Sequence, residues 1–465
     1  MTTIETDYLI IGGGAVGMAF ADTIIAETDA HVTIVDRQAK PGGHWNDAYS
    51  FVALHQPSAF YGVSSVPLGS GSVDRSGLNA GFHEAAGADE LRAYYARVMD
   101  QQFLPTGRVT HHPCSDHHTG PDGRHFITSR LSGAVQEVRV RRKWVDTGFL
   151  EGRVPATSPP PFEVAEGVRC VAAGDIARLT EWPERYAVIG TGKTALDTCV
   201  WLLSQGVSAS AIQWVRPREA WWLNRRFHQP GDGLPAFFAG VGLQLKAMAQ
   251  AGSIDDLFAR LEAEGFFLRL DPSVAPTMCR GAIVSEAEVA RLRQVEDVVR
   301  LGHVRRIERE RIVLDGGEVP TSPGTLHVHC AAVGLARPHP RLYASAQRGE
   351  HGSVDGNGVH DGLRQRRGRG IGLADQAVFG HSREQCLHVF RNHVLAAKQQ
   401  RVRLGRPLRI QGLPQAVTGP AFSGAVGLCL FATHPQDEWW DFDIPAEKYP
   451  ARSLKRAFKW FKDNW

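Results

Sequence analysis

The chain has 465 residues, of which 43% are hydrophobic and 22% charged, and its formal net charge is +3. That length is about three domains' worth of chain at ~150 residues each; the balance excludes a single small binding module and a disordered or fibrous chain, and it makes nucleic acid an unexpected partner. The seven cysteines are scattered, odd in number and never spaced CxxC, which argues against both a disulfide framework and a redox dithiol and for a reducing cytoplasm.

The chain opens directly on fold, with no signal-peptide pattern, and no uncharged apolar run reaches the ~18 residues of a membrane span. Asp7 to Gly12 reads as a buried strand, Gly12 to Gly17 as a glycine turn and Met18 to Glu27 as a helix. His31 to Val35 is a second strand that ends in Asp36, completing a βαβ unit. Gly62 to Asn79 reads as loop. Ala88 to Gln102 carries Leu91, Tyr94, Tyr95 and Val98 at helical spacing, and Val109 to Asp146 alternates short strands with turns. Ser158 to Pro161 (SPPP) marks a joint.

The opening grammar then repeats: strand Tyr186 to Ile189, turn Gly190 to Ala195, helix Leu196 to Ser204, and strand Ala211 to Val215 ending at Arg216. Leu243 to Glu264 and Ser285 to Leu301 read as helices, and Val304 to Leu314 and Thr325 to Val333 as strand-like runs. Arg341 to Arg369 is rich in Gly, Arg and His and reads as a loop or insert.

Each turn implies a ligand. In a dinucleotide turn the first glycine makes the bend, the second lets backbone N–H groups approach the pyrophosphate and the third admits the helix; Gly12, Gly14 and Gly17 fill those places, with Ala15 and Val16 between them. A carboxylate at Asp36 accepts ribose hydroxyls and repels a 2′-phosphate, which leaves FAD or NAD for this unit. In the second unit Gly190, Thr191, Gly192, Lys193 and Thr194 form the turn, no acid closes it, and Arg216 and Arg218 can hold a 2′-phosphate, so NADPH is expected there. A P-loop reading of Gly192-Lys193-Thr194 fails because Ala187 stands where that motif needs glycine.

These motifs, in this order, carry a family resemblance. Gly42-Gly43-His44-Trp45 resembles the GGxW after the first FAD unit of class B flavin monooxygenases, the flavin-containing and Baeyer–Villiger monooxygenases. Pro57 to Tyr61 resembles the segment beneath their flavin, Asp146-Thr147-Gly148 the ATG that ends their first FAD stretch, and Ala332-Val333-Gly334 a second such turn; the match spans roughly residues 5 to 335. The resemblance implies FAD in the first unit, with Arg37, Gly43, His44, Trp45, Val109, Thr147, Gly148 and Gly334 among the cofactor contacts, and NADPH in the second. Where the family keeps an Asn or Asp beside the flavin, an approximate alignment puts His55, with Gln56 next to it, as candidate catalytic groups that donate hydrogen bonds to activated oxygen. The family's FxGxxxHxxxF/Y signature finds no matching histidine between Phe162 and Arg185.

Other patterns compete with structural explanations. Trp45 suits flavin packing or core, and Trp221 to Arg226 suits a substrate entrance or helix packing. The His/Cys/Asp cluster from His111 to His118 matches no zinc spacing and reads as an exposed turn, so no metal is expected. The tail from Arg452 to Trp465 is an amphipathic helix, a form that docks on protein more often than on a membrane surface.

The fold expected is α/β with two Rossmann-like dinucleotide-binding domains and an unmatched C-terminal region. An FAD domain spans 1–150, a linker 151–180, an NAD(P)H domain with a helical insertion 181–335, and 336–465 returns to the FAD domain and extends it. The function expected is an FAD-dependent, NADPH-consuming monooxygenase that moves one oxygen atom of O2 into a small organic substrate. A flavin reductase or oxidase without oxygen transfer, and a non-catalytic flavin or NAD(P)-binding sensor, remain open, as does the oligomeric state.

Overall fold

The computed structural model describes residues 3–148 and 154–331, together with the pair 380–381. Gly334, the 341–369 stretch and the amphipathic tail singled out above lie outside the described residues.

Strand β1 (Thr3–Ile11) has the apolar run Leu9-Ile10 fully buried, as a strand covered on both faces must. The glycine turn feeds α1 (Ala15–Glu27), whose Met18 and Ala21 face the core, and β2 (Val32–Val35) pairs parallel to β1 from Tyr8 opposite Val32 to Ile11 opposite Val35. Helix α2 (Ala88–Val98) buries Leu91, Tyr94, Tyr95 and Val98, the stripe its spacing predicts. It leads to β3 (Val109–His112), β4 (Ser115–Thr119), β5 (His125–Ser129) and β6 (Val135–Asp146). The sheet order is β3-β2-β1-β6-β5-β4, parallel from β3 to β6 and antiparallel from β6 to β4.

The second half follows with β7 (Glu163–Val164), β8 (Cys170–Ala172), β9 (Arg185–Ile189), α3 (Lys193–Ser204), β10 (Ile212–Val215) and β11 (Ala220–Asn224). Then come α4 (Leu234–Gln250), α5 (Ile254–Ala263), β12 (Phe267–Leu268), β13 (Met278–Val284), α6 (Glu286–Leu292) and β14 (Val298–Val299). Strands β15 (Val304–Ile307), β16 (Arg311–Leu314), β17 (Gly317–Pro320), β18 (Thr325–His329) and β19 (Gly380–His381) complete it. A parallel sheet, β14-β10-β9-β18-β8, forms its centre, flanked by sheets ordered β12-β11-β13-β19 and β17-β16-β15-β7. The fold is thus α/β with two parallel-sheet, Rossmann-like units. The stretch read as a linker carries β7 and β8, which pair with β15 and β18.

Four expectations change. The helix expected from Ser285 to Leu301 ends at Leu292, because Val298-Val299 takes the open edge of the parallel sheet beside β10. The helix expected from Leu243 to Glu264 is two helices, parted at Gly252 and restarted by Ser253, whose hydroxyl accepts the Asp256 N–H at 3.1 Å. Trp221 to Asn224 neither lines an entrance nor packs as helix: it is the buried strand β11, with Trp221 stacked on Phe258. The histidines read as an exposed turn lie on strands, His111 and His112 on β3 and His117 and His118 on β4; the first three are partly buried and His118 is exposed. The intervening Cys114 turns with φ at 47°.

Candidate functional site

The first turn is built by close approach. A Cβ on Gly17 would lie 2.0 Å from the Gly12 carbonyl oxygen, so only glycine lets α1 start this near β1. On the other side a Cβ on Gly43 would meet Gly14 Cα at 2.9 Å, which ties the GGxW segment to the turn. Gly14 caps α1 without any side-chain hydrogen bond, so the first N–H groups of the helix are left for an anion. Asp36, 6% exposed, accepts the Gly13 N–H at 2.6 Å and the Gln38 N–H at 2.8 Å. A carboxylate has about four acceptor sites, so this one keeps capacity for a ribose hydroxyl. Thr147 donates to the carbonyls of Ile11 and Gly12 at 2.7 and 3.2 Å, and the Gly148 N–H to Asp146 at 2.9 Å. Ala15 is buried, Val16 half-buried and Arg37 exposed around this turn, whereas Val109 is buried at the start of β3 opposite Val32, three residues back from the strand ends that carry the turn.

The second turn faces a cleft of about 290 Å³ between the units. Its wall combines His44, Trp45, Tyr49 and His55 of the first unit with Gly190, Thr191, Gly192, Lys193, Thr194, Arg218 and Arg280 of the second. The turn is anchored from behind by Trp214, whose indole N–H donates to the Gly190 carbonyl at 2.9 Å. Gly192 caps α3 with no side-chain hydrogen bond, and the hydroxyl of Thr191, 4% exposed, is buried without a partner. Trp45 is both wall and core: its indole N–H donates to the Tyr61 hydroxyl at 2.5 Å, and it sits in the first unit's apolar cluster.

Lys193 does not offer its ammonium to the turn. It is ion-paired with Asp197 and lies 3.6 Å from Glu288, which in turn holds Arg225 at 2.7 Å. Tyr49 donates to Asp197 at 2.6 Å from the first unit, and Arg225 donates to Asn79 at 2.9 Å. Burial pulls the Lys193 pKa down and the two carboxylates more than offset it, so it stands above the ordinary lysine value. Burial raises Asp197, while Lys193 and Arg225 overcome burial to lower Glu288. Two cations balance two anions, as a buried cluster requires.

His55 and Gln56 are 5% and 4% exposed. His55 Nδ1 accepts the Ile283 N–H of β13 at 3.1 Å, which places the imidazole proton on Nε2 and makes that edge a donor. The Gln56 amide nitrogen is buried without a partner. The cleft therefore gathers His44, Trp45, His55, the 190–194 turn and Arg218. Gln56, Asp36, Arg216 and the 12–17 turn lie outside its wall. Sequence reasoning missed Tyr49, Asp197 and Glu288, although Asp197 stands at i+4 from Lys193 and Ser285-x-x-Glu288 spells the capping box observed there. Among the described residues no group of three or more His, Cys, Asp or Glu can hold a metal ion, and no helix is long and apolar enough to cross a membrane.

Fold and site define an α/β protein with two dinucleotide-type turns, one of which opens on a cleft shared by both units. Residues 10–64 match the model of the NAD(P)-binding Rossmann-like domain family. Uncharacterized proteins of Mycobacterium tuberculosis and Mycobacterium bovis are 49% identical to the chain over 333 residues, 71% of this chain and 61% of theirs. The chain thus spans about three fifths of the length of these curated relatives. Among solved structures it resembles a flavin monooxygenase from Stenotrophomonas maltophilia, with 17% identity, TM-score 0.42, and 73% and 82% of the two chains covered. It also resembles a cyclohexanone monooxygenase with bound ε-caprolactone, with 13% identity, TM-score 0.45, and coverage of 73% and 75%.

Proposed function

We propose that the protein is an FAD-dependent, NADPH-consuming oxidoreductase that transfers one oxygen atom of O2 to a small organic substrate, at a soft heteroatom or beside a ketone carbonyl. The observation that carries this reading is the cleft itself, where the second turn looks across at His44, Trp45 and His55. Two different dinucleotides set in these turns would meet there. The residues present fit such groups: both helix N-termini lack side-chain caps, and the Thr191 hydroxyl at the cleft is a buried donor without a partner, a costly state that a bound ligand relieves.

A bound flavin would supply the hydride acceptance and oxygen chemistry. The chain's own part is to bind, orient and exclude water. Backbone N–H groups at Gly14 and Gly192 would hold the two pyrophosphates, and Asp36 a ribose. Trp45 and Tyr49 form a largely apolar wall against water. His55, with its proton on Nε2, is the donor best placed on the first unit's side of the cleft to hydrogen-bond a polar oxygen, and Ile283 fixes its orientation.

The test is a panel of thioethers and ketones supplied with NADPH and isotopically labelled O2. A product that gains labelled oxygen supports the reading. Stoichiometric peroxide from NADPH with no oxygenated product across the panel moves the protein to the oxidases.

A further inference from the structure

Arg216 ends β10, where the second unit's dinucleotide ribose would lie, yet it points away from the cleft. Its guanidinium sits 4.8 Å from the Trp214 ring centroid, behind the indole that braces Gly190, and pairs with Glu219 at 3.2 Å. Side-chain exposure is 5% for Arg216 and 4% for Glu219. Glu219 also accepts Arg300 at 2.7 Å, and Arg300 reaches Asp271 at 2.6 Å, so the four charges cancel behind the turn. The chain then turns outward through Pro217, and Arg218, which is exposed, lines the cleft.

We propose that Glu219 is a specificity-determining residue. By drawing Arg216 into a buried ion pair, which the partly exposed Arg300 and Asp271 complete as a neutral quartet, it removes that guanidinium from the dinucleotide, and discrimination for a 2′-phosphate rests on Arg218. This inference depends on the reading that the second unit binds a pyridine dinucleotide. One solvated arginine discriminates weakly, since water screens its charge, so the protein should prefer the 2′-phosphate by only about tenfold.

The experiment measures binding of two probes, 2′,5′-ADP and 5′-AMP, by titration calorimetry, with no turnover involved. Wild type should bind the first about tenfold more tightly. Arg218→Ala should bring the two probes within about twofold by weakening 2′,5′-ADP alone. Glu219→Gln, which frees cationic charge behind the turn, should tighten 2′,5′-ADP at least threefold and leave 5′-AMP unchanged. Circular dichroism confirms that each variant is folded, and Glu219→Asp, which keeps the charge, should behave as wild type. If both probes bind and Arg218→Ala keeps the full preference, or Glu219→Gln changes nothing, the role of Glu219 is refuted while the nucleotide reading stands. If neither probe binds wild type, both fall.

Discussion

His55 is held in one tautomer by a hydrogen bond that crosses between the units, from the Ile283 N–H to Nδ1. A proton on Nδ1 would face that N–H, so the donor edge of the ring is Nε2. His55→Ala should therefore cut product formation by about 10²–10³ in kcat, the usual cost of one donor to developing negative charge, while NADPH still bleaches the flavin. Equal loss of both steps would make the residue structural. His329 gives a second prediction. It is 3% exposed, and burial pushes its pKa from 6.5 to about 4. The unfolded chain then binds the proton first, so this contribution is complete above pH 6.5 and is lost as pH falls toward 4, with a full extent of about 3 kcal/mol. Urea unfolding at pH 7 and pH 5 should show the loss, and His329→Asn should reduce it. Residue types and their places along the chain were legible here: Asp36 after β2, His55 past the GGxW segment and Arg218 after β10. Directions were not: nothing in the order of residues says that Arg216 turns in toward Glu219 and Arg218 turns out, since Glu219 and Arg300 meet only through the fold.

At the scale of elements, the first turn admits no side chain on its third glycine. Gly17→Ala should cost about 1–3 kcal/mol or more in thermal or urea unfolding, the range for overpacking against backbone that cannot move. The same variant should release any bound flavin; unchanged stability would contradict the 2.0 Å approach. The α3–α6 charge cluster is the second elemental device, because removing one member strands the others in low dielectric. Glu288→Ala, which leaves Lys193 and Arg225 short of a partner, should destabilise by about 3–5 kcal/mol in urea unfolding. A loss below about 1 kcal/mol would mean that water reaches the cluster. The strands and helices of both βαβ units were legible, since buried apolar runs and glycine turns are local signals. Strand β11 and the stop of α6 at Leu292 were not, because pairing partners distant in the chain decided them: Met278–Val284 for one and the edge of β10 for the other.

Over the whole molecule, the repeat of one strand-turn-helix grammar foretold two units, and the acid at 36 against arginine after the second strand is the basis for proposing different ligands for them. What the repeat could not give is how they face: contacts far apart in the chain set it, such as Phe51 stacked on Trp201 and Ser285 donating to the Leu78 carbonyl. Those contacts place one turn opposite His55, and the proposed chemistry depends on that placement. The most direct measurement is an anaerobic visible-light titration of the purified protein with NADPH. The account predicts a yellow protein that bleaches with one equivalent per flavin and recovers its colour in air. A colourless protein, or a yellow one that NADPH leaves unbleached, would contradict it.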